Sequence, residues 1–188
     1  MIEERVDPIN IDVGELVQRT VASLYANLVT RPTGRAVRQA IEQQLQGDRR
    51  MAVSLIDFTE VRILDFSCAD EVVAKLVARY LDPDRPREAF FLFRAVEELH
   101  SHTVEEVLRR QSLAAVCDVG AGYFQLLGEV EARERDAWQR IERAGRLVPR
   151  DAEQALGKGW IGPARNLATR RLVFMGPGGD ITALSAMV

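Results

Sequence analysis

Two short apolar runs restrict this chain more than any other feature. Met51-Ala-Val-Ser-Leu-Ile-Asp-Phe58 and Ala89-Phe-Phe-Leu-Phe93 are apolar at successive positions, not alternate ones. A strand sends successive side chains to opposite faces, so runs of this kind suit central strands covered on both sides. Covering both faces of a sheet takes a packed layer on each, and the expected class is α/β.

The stretches around the two runs fit that class. Asp65-Phe66-Ser67 precedes an amphipathic helix with Val72, Val73, Leu76, Val77 and Tyr80 on one face, broken by Asp82-Pro83-Asp84-Arg85-Pro86. Val96 to Arg110 reads as a second helix, with Val96, Leu99, Val104, Val107 and Leu108 as its apolar positions. Leu113–Val119 and Tyr123–Leu127 flank Gly120-Ala121-Gly122, which is a hairpin signal. Upstream, Val6 to Val13 alternates. Glu15 to Leu28 has near-helical spacing, and Thr33 is placed to cap a helix running to about Leu45, ended by Gly47-Asp48.

The last segment has a different order. Glu131 to Ala144 is a charged helix carrying Trp138 and Ile141; Pro149 to Gly157 is a short helix; Gly162-Pro163 opens a third. Arg171–Met175 and Ile181–Leu184 then flank a Gly-rich turn. Three helices followed by a hairpin is the layout of a winged helix-turn-helix. The charge changes sign at the same place. Residues 129–188 hold 10 Lys and Arg against 8 Asp and Glu, and residues 1–128 hold 15 against 20. The expected organisation is a strand and helix lead-in over 1–29, an α/β domain over 30–128 and a winged-helix-like domain over 129–188.

Composition bounds the rest. Apolar residues make up 47% and charged residues 28%, as in globular proteins. No apolar run reaches the roughly 18 residues of a membrane helix, and the N-terminus lacks a signal-peptide pattern. The expected location is the cytoplasm, without membrane contact. Cys68 and Cys117 are too few and too far apart for a disulfide framework or zinc site, and read as small buried apolar residues.

The stretch Ile56-Asp57-Phe58-Thr59-Glu60-Val61-Arg62-Ile63-Leu64-Asp65-Phe66-Ser67 resembles the core of the STAS and STAS-like family, the fold of anti-sigma-factor antagonists. In that family an apolar strand runs into a short loop, and an Asp-Ser-Ser/Thr-Gly-like turn starts the next helix. Ser67 matches the Ser that accepts phosphate from a partner kinase, and Asp65 matches the preceding Asp. Phe66 replaces the first Ser and Cys68 the Gly. The resemblance covers Thr30 to Leu127 and implies a regulatory protein, not an enzyme. It also implies an anti-sigma or kinase-like ATPase partner meeting a surface of Asp65, Ser67, Cys68 and Asp70.

Residue chemistry alone says less about Ser67. A Ser at a helix start can serve simply as the cap, and Asp70 three residues on echoes a capping box. Phosphorylation would add about −1.5 to −2 charge at the positive end of the helix dipole. Arg31, Thr33, Gly34 and Arg35 form an anion-binding candidate at a predicted helix start, where phosphorylated Ser67 is one conceivable guest; Arg38 is set four residues before Glu42.

In the last segment, Arg150, Lys158, Arg165, Asn166, Thr169 and Arg170 are candidates for DNA contact, since Arg and Asn can make bidentate base contacts. The wing turn carries Asp180 and no Lys or Arg between Met175 and Leu184, and suits DNA poorly. DNA, a second protein and a second copy of the chain are all partners this segment admits. The alternative function is a winged-helix DNA-binding regulator whose STAS-like part dimerises or senses a ligand.

Three further signals are weak. Gly157-Lys-Gly-Trp-Ile-Gly162 matches GxGxxG, but a helix precedes it where a dinucleotide fingerprint needs a strand. His100 and His102, two apart on a helix, point in different directions, so no metal is expected and a solvated face is the simpler reading. No Ser/His/Asp order, P-loop or paired carboxylate is visible, and no cofactor is expected.

Overall fold

Both apolar runs are strands, and they lie side by side. The protein is described by a computed structural model covering residues 7–16, 27–46, 51–95 and 97–188. β3 (Met51–Asp57) and β5 (Glu88–Arg94) are parallel neighbours in a five-stranded sheet. Its order is β1-β3-β5-β6-β7, with β1 (Asp7–Asp12) at one edge. The N-terminal alternation is thus part of the same sheet, in register with β3 from Asp7 opposite Ala52 to Asp12 opposite Asp57. β6 (Ala114–Asp118) and β7 (Phe124–Gly128) form the expected antiparallel hairpin. Gly120, Ala121 and Gly122 turn it with φ of 126°, 53° and 70°, a run of positive values that glycine makes affordable.

Side chains from the strands alternate between two cores. Ala52, Ile56, Ala89, Phe91, Phe93, Ala115, Cys117 and Leu127 face one core. Met51, Val53, Leu55, Phe90, Leu92, Ala114, Val116 and Leu126 face the other. At the carboxyl ends of the strands, Arg94 bridges Asp57 at 3.1 Å and Asp118 at 2.9 Å, which ties three strand ends together.

The first core is closed by α1 (Arg31–Gln44), a long helical stretch from Phe66 to Leu81, and α4 (Glu98–Arg110). The middle stretch comprises α2 (Phe66–Ala69), a π-helical turn (Asp70–Ala74) and α3 (Lys75–Leu81). All five predicted face residues, Val72, Val73, Leu76, Val77 and Tyr80, are buried. The wider π turn brings Glu71, Val72, Val73 and Ala74 all inward, four successive residues that an α-helix would spread around its circumference.

Several expectations fail locally. Leu28 does not end a helix: Asn27–Leu28 is a short strand, β2, parallel to β4 (Ile63–Leu64). Residues 13–16 are helical, and residues 17–26 of that predicted helix lie outside the described residues, as do Gly47-Asp48 and Val96. In α4, Leu99 is 80% exposed, while His100 is buried and hydrogen-bonds the Arg62 backbone. The solvated-face reading of His100 is therefore wrong. Burial holds its pKa below the usual imidazole value, against Glu97 and the backbone contact.

The second core is closed by the C-terminal segment. Its order is α5 (Ala132–Ala144), β8 (Arg146–Leu147), α6 (Pro149–Leu156), α7 (Ile161–Thr169), β9 (Val173–Met175) and β10 (Ile181–Ala183). The three strands form a small antiparallel sheet in the order β8-β10-β9. Ala137, Trp138, Ile141, Ala164, Leu167, Leu172, Val173, Ile181, Ala183 and Leu184 pack against the large sheet. Arg171 fastens the seam: it pairs with Glu88 at 2.5 Å, donates to the Ala89 carbonyl at 3.1 Å and stacks on Phe90. Phe174 meets Phe90 edge-on at 5.8 Å. Residues 129–188 thus supply the second covering layer that the apolar runs required. No helix among the described residues is long and apolar enough to cross a membrane.

Candidate functional site

β4 leads into the helix start that contains Ser67, and β2 fixes its position. The Asp65 N–H donates to the Leu28 carbonyl at 2.8 Å, extending the β2–β4 pairing into the turn. Asp65 is the N-cap: its backbone is extended, and its Oδ1 accepts from the Cys68 N–H at 2.8 Å. Ser67 is the second residue inside the helix, not its cap. Its half-buried hydroxyl donates to Asp65 Oδ1 at 3.0 Å and Oδ2 at 3.1 Å. Phe66 beside it lies under the Arg110 guanidinium, 4.3 Å from the ring centre.

Asp70 is not part of a capping box. It takes hydrogen bonds from Arg31 at 2.7 Å and from Gln111, reaching across to α1 and to the end of α4. Its neighbour Glu71 is fully buried and collects three cations. Arg31 approaches Glu71 to 3.0 Å, Arg38 to 3.5 Å, and Lys75 bonds it from one turn on. Burial pushes the Glu71 pKa up, but the bonds from Lys75 and Arg31 outweigh it and the net shift is downward. Arg38 also pairs with Glu42 at 2.9 Å, as the spacing predicted.

The predicted anion site is therefore built differently. Thr30 caps α1, its side chain accepting from the Thr33 N–H at 3.3 Å, so Thr33 is not the cap. Arg31 is taken by Asp70 and Glu71. Gly34 is buried against Cys68: a Cβ there would lie 2.9 Å from the Cys68 Cα. Only glycine allows the two helices this close. Arg35 is exposed and makes no ion pair among the described residues. The Thr30–Arg35 turn and the Ser67 turn do meet in space, but through Gly34, Cys68 and the Arg31 carboxylate pairs instead of an open cradle.

Cys68 also leaves the predicted partner surface. Its side chain is fully buried, and its thiol donates to the Thr30 carbonyl at 2.9 Å. Burial, then the nearby Asp65 carboxylate, pushes its pKa up to about 12. The surface at this helix start consists of half-buried Asp65, Phe66, Ser67 and Asp70, with Ile63 50% and Val29 46% exposed nearby in the β2–β4 region.

In the C-terminal segment, Arg165, Asn166 and Thr169 share an exposed face of α7 with Ile161 and Gly162. Lys158 and Arg150 are exposed, and Arg150 lies 3.7 Å from Asp151. Arg170 does not join that face. It pairs with Glu134 at 2.8 Å and donates to the Glu129 carbonyl at 2.5 Å, tying α7 to α5. The turn before β10 directs Asp180 to Arg146 at 3.1 Å. Gly157-Lys-Gly-Trp-Ile-Gly162 joins two helices, with Trp160 partly buried against the second core. Among the described residues, no group of three or more His, Cys, Asp or Glu is placed to hold a metal ion.

The Glu71 cluster and the Arg170 and Arg171 fastenings were not expected from the sequence. Apart from Lys75, four residues after Glu71, their partners lie tens of residues away, and no local spacing signals them. No family model, curated protein or solved structure matches the chain.

Proposed function

We propose that the chain is a STAS-like regulatory switch that meets a protein partner at the Ser67 helix start and accepts phosphate there. The observation that carries this reading is the Ser67 hydroxyl hydrogen-bonded to both oxygens of the Asp65 carboxylate. That arrangement leaves the hydroxyl oxygen as nucleophile and places a proton acceptor beside it. A phosphate on Ser67 sets two negative groups together, and the helix N-terminus offsets only part of that repulsion. The cap, and the surface it organises, then differ between the two states. An anti-sigma protein or a kinase-like ATPase is the partner class that fits.

The output is assigned to residues 129–188. The order helix–strand–helix–helix–hairpin, with strands arranged β8-β10-β9, supports a winged-helix-like module. The exposed Arg165, Asn166 and Thr169 favour a second reading, a DNA-binding regulator using α7.

Affinity capture from the native host separates the two. Wild-type chain is expected to retain one protein partner that Ser67→Asp releases. Retention of that partner equally by Ser67→Asp and Ser67→Ala would refute the switch. Salt-sensitive binding to genomic DNA, lost in Arg165→Ala, would support the second reading.

A further inference from the structure

A cavity of about 550 Å³ opens on the seam between the large sheet and the C-terminal segment. Its apolar wall comes from Met51 of β3, Leu81 at the end of α3, Phe90 of β5, and Phe174 and Met175 of β9. Met51 and Phe90 are buried, whereas Leu81, Phe174 and Met175 keep part of their surface open. Small-molecule sites are mostly apolar hollows of about 300–1,000 Å³ with a few placed polar groups.

The polar groups here are Arg85, Glu88 and Arg171. Arg85 Nε donates to Glu88 Oε1 at 2.7 Å, and Arg171 Nη2 donates to Glu88 Oε2 at 2.5 Å. Two guanidiniums thus share one carboxylate, and the described lining carries two positive charges against one negative. Burial pushes the Glu88 pKa up, but the bonds from Arg171 and Arg85 outweigh it and the net shift is downward. Glu88 therefore stays ionised near neutral pH, and the surplus is one positive charge. Arg85 carries it nearer to solvent: its side chain is 30% exposed, against 12% for Arg171. Among the described residues, Arg85 gives two hydrogen bonds to Glu88 and one to the Asp82 carbonyl, of the five a guanidinium can give.

We propose that this cavity binds an apolar monocarboxylate. Its hydrocarbon part lies on Leu81, Phe174 and Met175, and its carboxylate meets Arg85. The occupant bridges Leu81, where the helical stretch that starts beside Ser67 ends, and Thr169, where α7 ends. Its binding requires no phosphate on Ser67.

The test uses the full chain with ¹³C-labelled methionine methyl groups and octanoate as the probe. The chain has four methionines, of which Met51 and Met175 line the cavity. Octanoate is expected to shift both of these methyl signals saturably, with one dissociation constant, and to leave Met187 in place. 1-Octanol, which keeps the chain and lacks the charge, should bind about tenfold more weakly, or weaker still. Octylammonium should give no saturable shift. Arg85→Gln should bring octanoate down to the affinity of octanol, and Arg85→Lys should keep most of the preference. The comparison of octanoate with octanol on the wild type stands even if the Arg85 variants fail to fold. No saturable shift of Met51 and Met175, equal affinities for octanoate and octanol, or full octanoate affinity in Arg85→Gln would overturn the proposal.

Discussion

The two faces of the large sheet are covered by different means. On the first face, helices approach closely and a buried carboxylate, Glu71, is shared by Arg31, Arg38 and Lys75. On the second face, the covering layer comes from a segment distant in sequence. It is held by apolar packing, by Arg171 on Glu88 and by Phe174 on Phe90. The first face supports the Ser67 turn directly: Gly34 packs against Cys68, one residue away from it. The second face carries the exposed output candidates Arg165, Asn166 and Thr169. A charged, closely fitted layer suits a site that must hold its shape, and an apolar seam between segments distant in sequence suits one that transmits a state.

The largest way to break this comparison is to remove the second layer. A chain ending at Gly128 exposes Met51, Val53, Leu55, Phe90, Leu92, Val116 and Leu126. Its predicted outcome is loss of cooperative unfolding, because the lost burial exceeds the usual margin of about 5–15 kcal/mol. A soluble fragment with a sharp thermal transition would instead make residues 1–128 an independent domain. Next in size, Phe90→Ala removes the ring between Arg171 and Phe174 and should cost about 3–5 kcal/mol in urea unfolding. A loss below about 1 kcal/mol would show that the seam is not a true core.

Glu71→Gln probes the first face and should cost about 2–3 kcal/mol, since its three cations keep partial access to water or other partners. The folded-state pKa of Glu71 lies below its ordinary 4.5, so its contribution is present above that value and fades as pH falls through the lowered one. Stability of the wild type should therefore drop on acidification below about pH 4.5 more steeply than that of Glu71→Gln. Parallel curves would remove Glu71 from this role. The smallest effect belongs to Arg165→Ala, an exposed position expected to change stability by about 0.5 kcal/mol or less. A larger loss would mean that the α7 face is packed, not free for a partner.

Much of this was legible because local patterns carried it. The doubly apolar runs at 51–58 and 89–93 announced a sheet covered on both sides, and Gly120-Ala-Gly122 announced the hairpin. The C-terminal order of helices and strands was also readable from its Pro and Gly punctuation. What covers the second face was not, because no residue in 129–188 signals which surface it will meet. Asp65 and Ser67 are both good caps by type, and only the position of the first helical residue separates them. His100 looked like a surface residue until packing beside Arg62 buried it, and Cys68, buried by its residue type but a partner-surface residue by the resemblance, is buried against Gly34. Arg31 and Arg170 read as free cations, and their carboxylate partners lie 39 or 40 and 36 residues away.

The most direct measurement is the intact mass of the chain purified from its native host across growth conditions, beside Ser67→Ala. The switch predicts a single phosphate on the wild type under at least one condition, located at Ser67 by fragmentation and absent from the variant. A wild-type chain without phosphate under every condition, or with phosphate at another residue that Ser67→Ala retains, would contradict it.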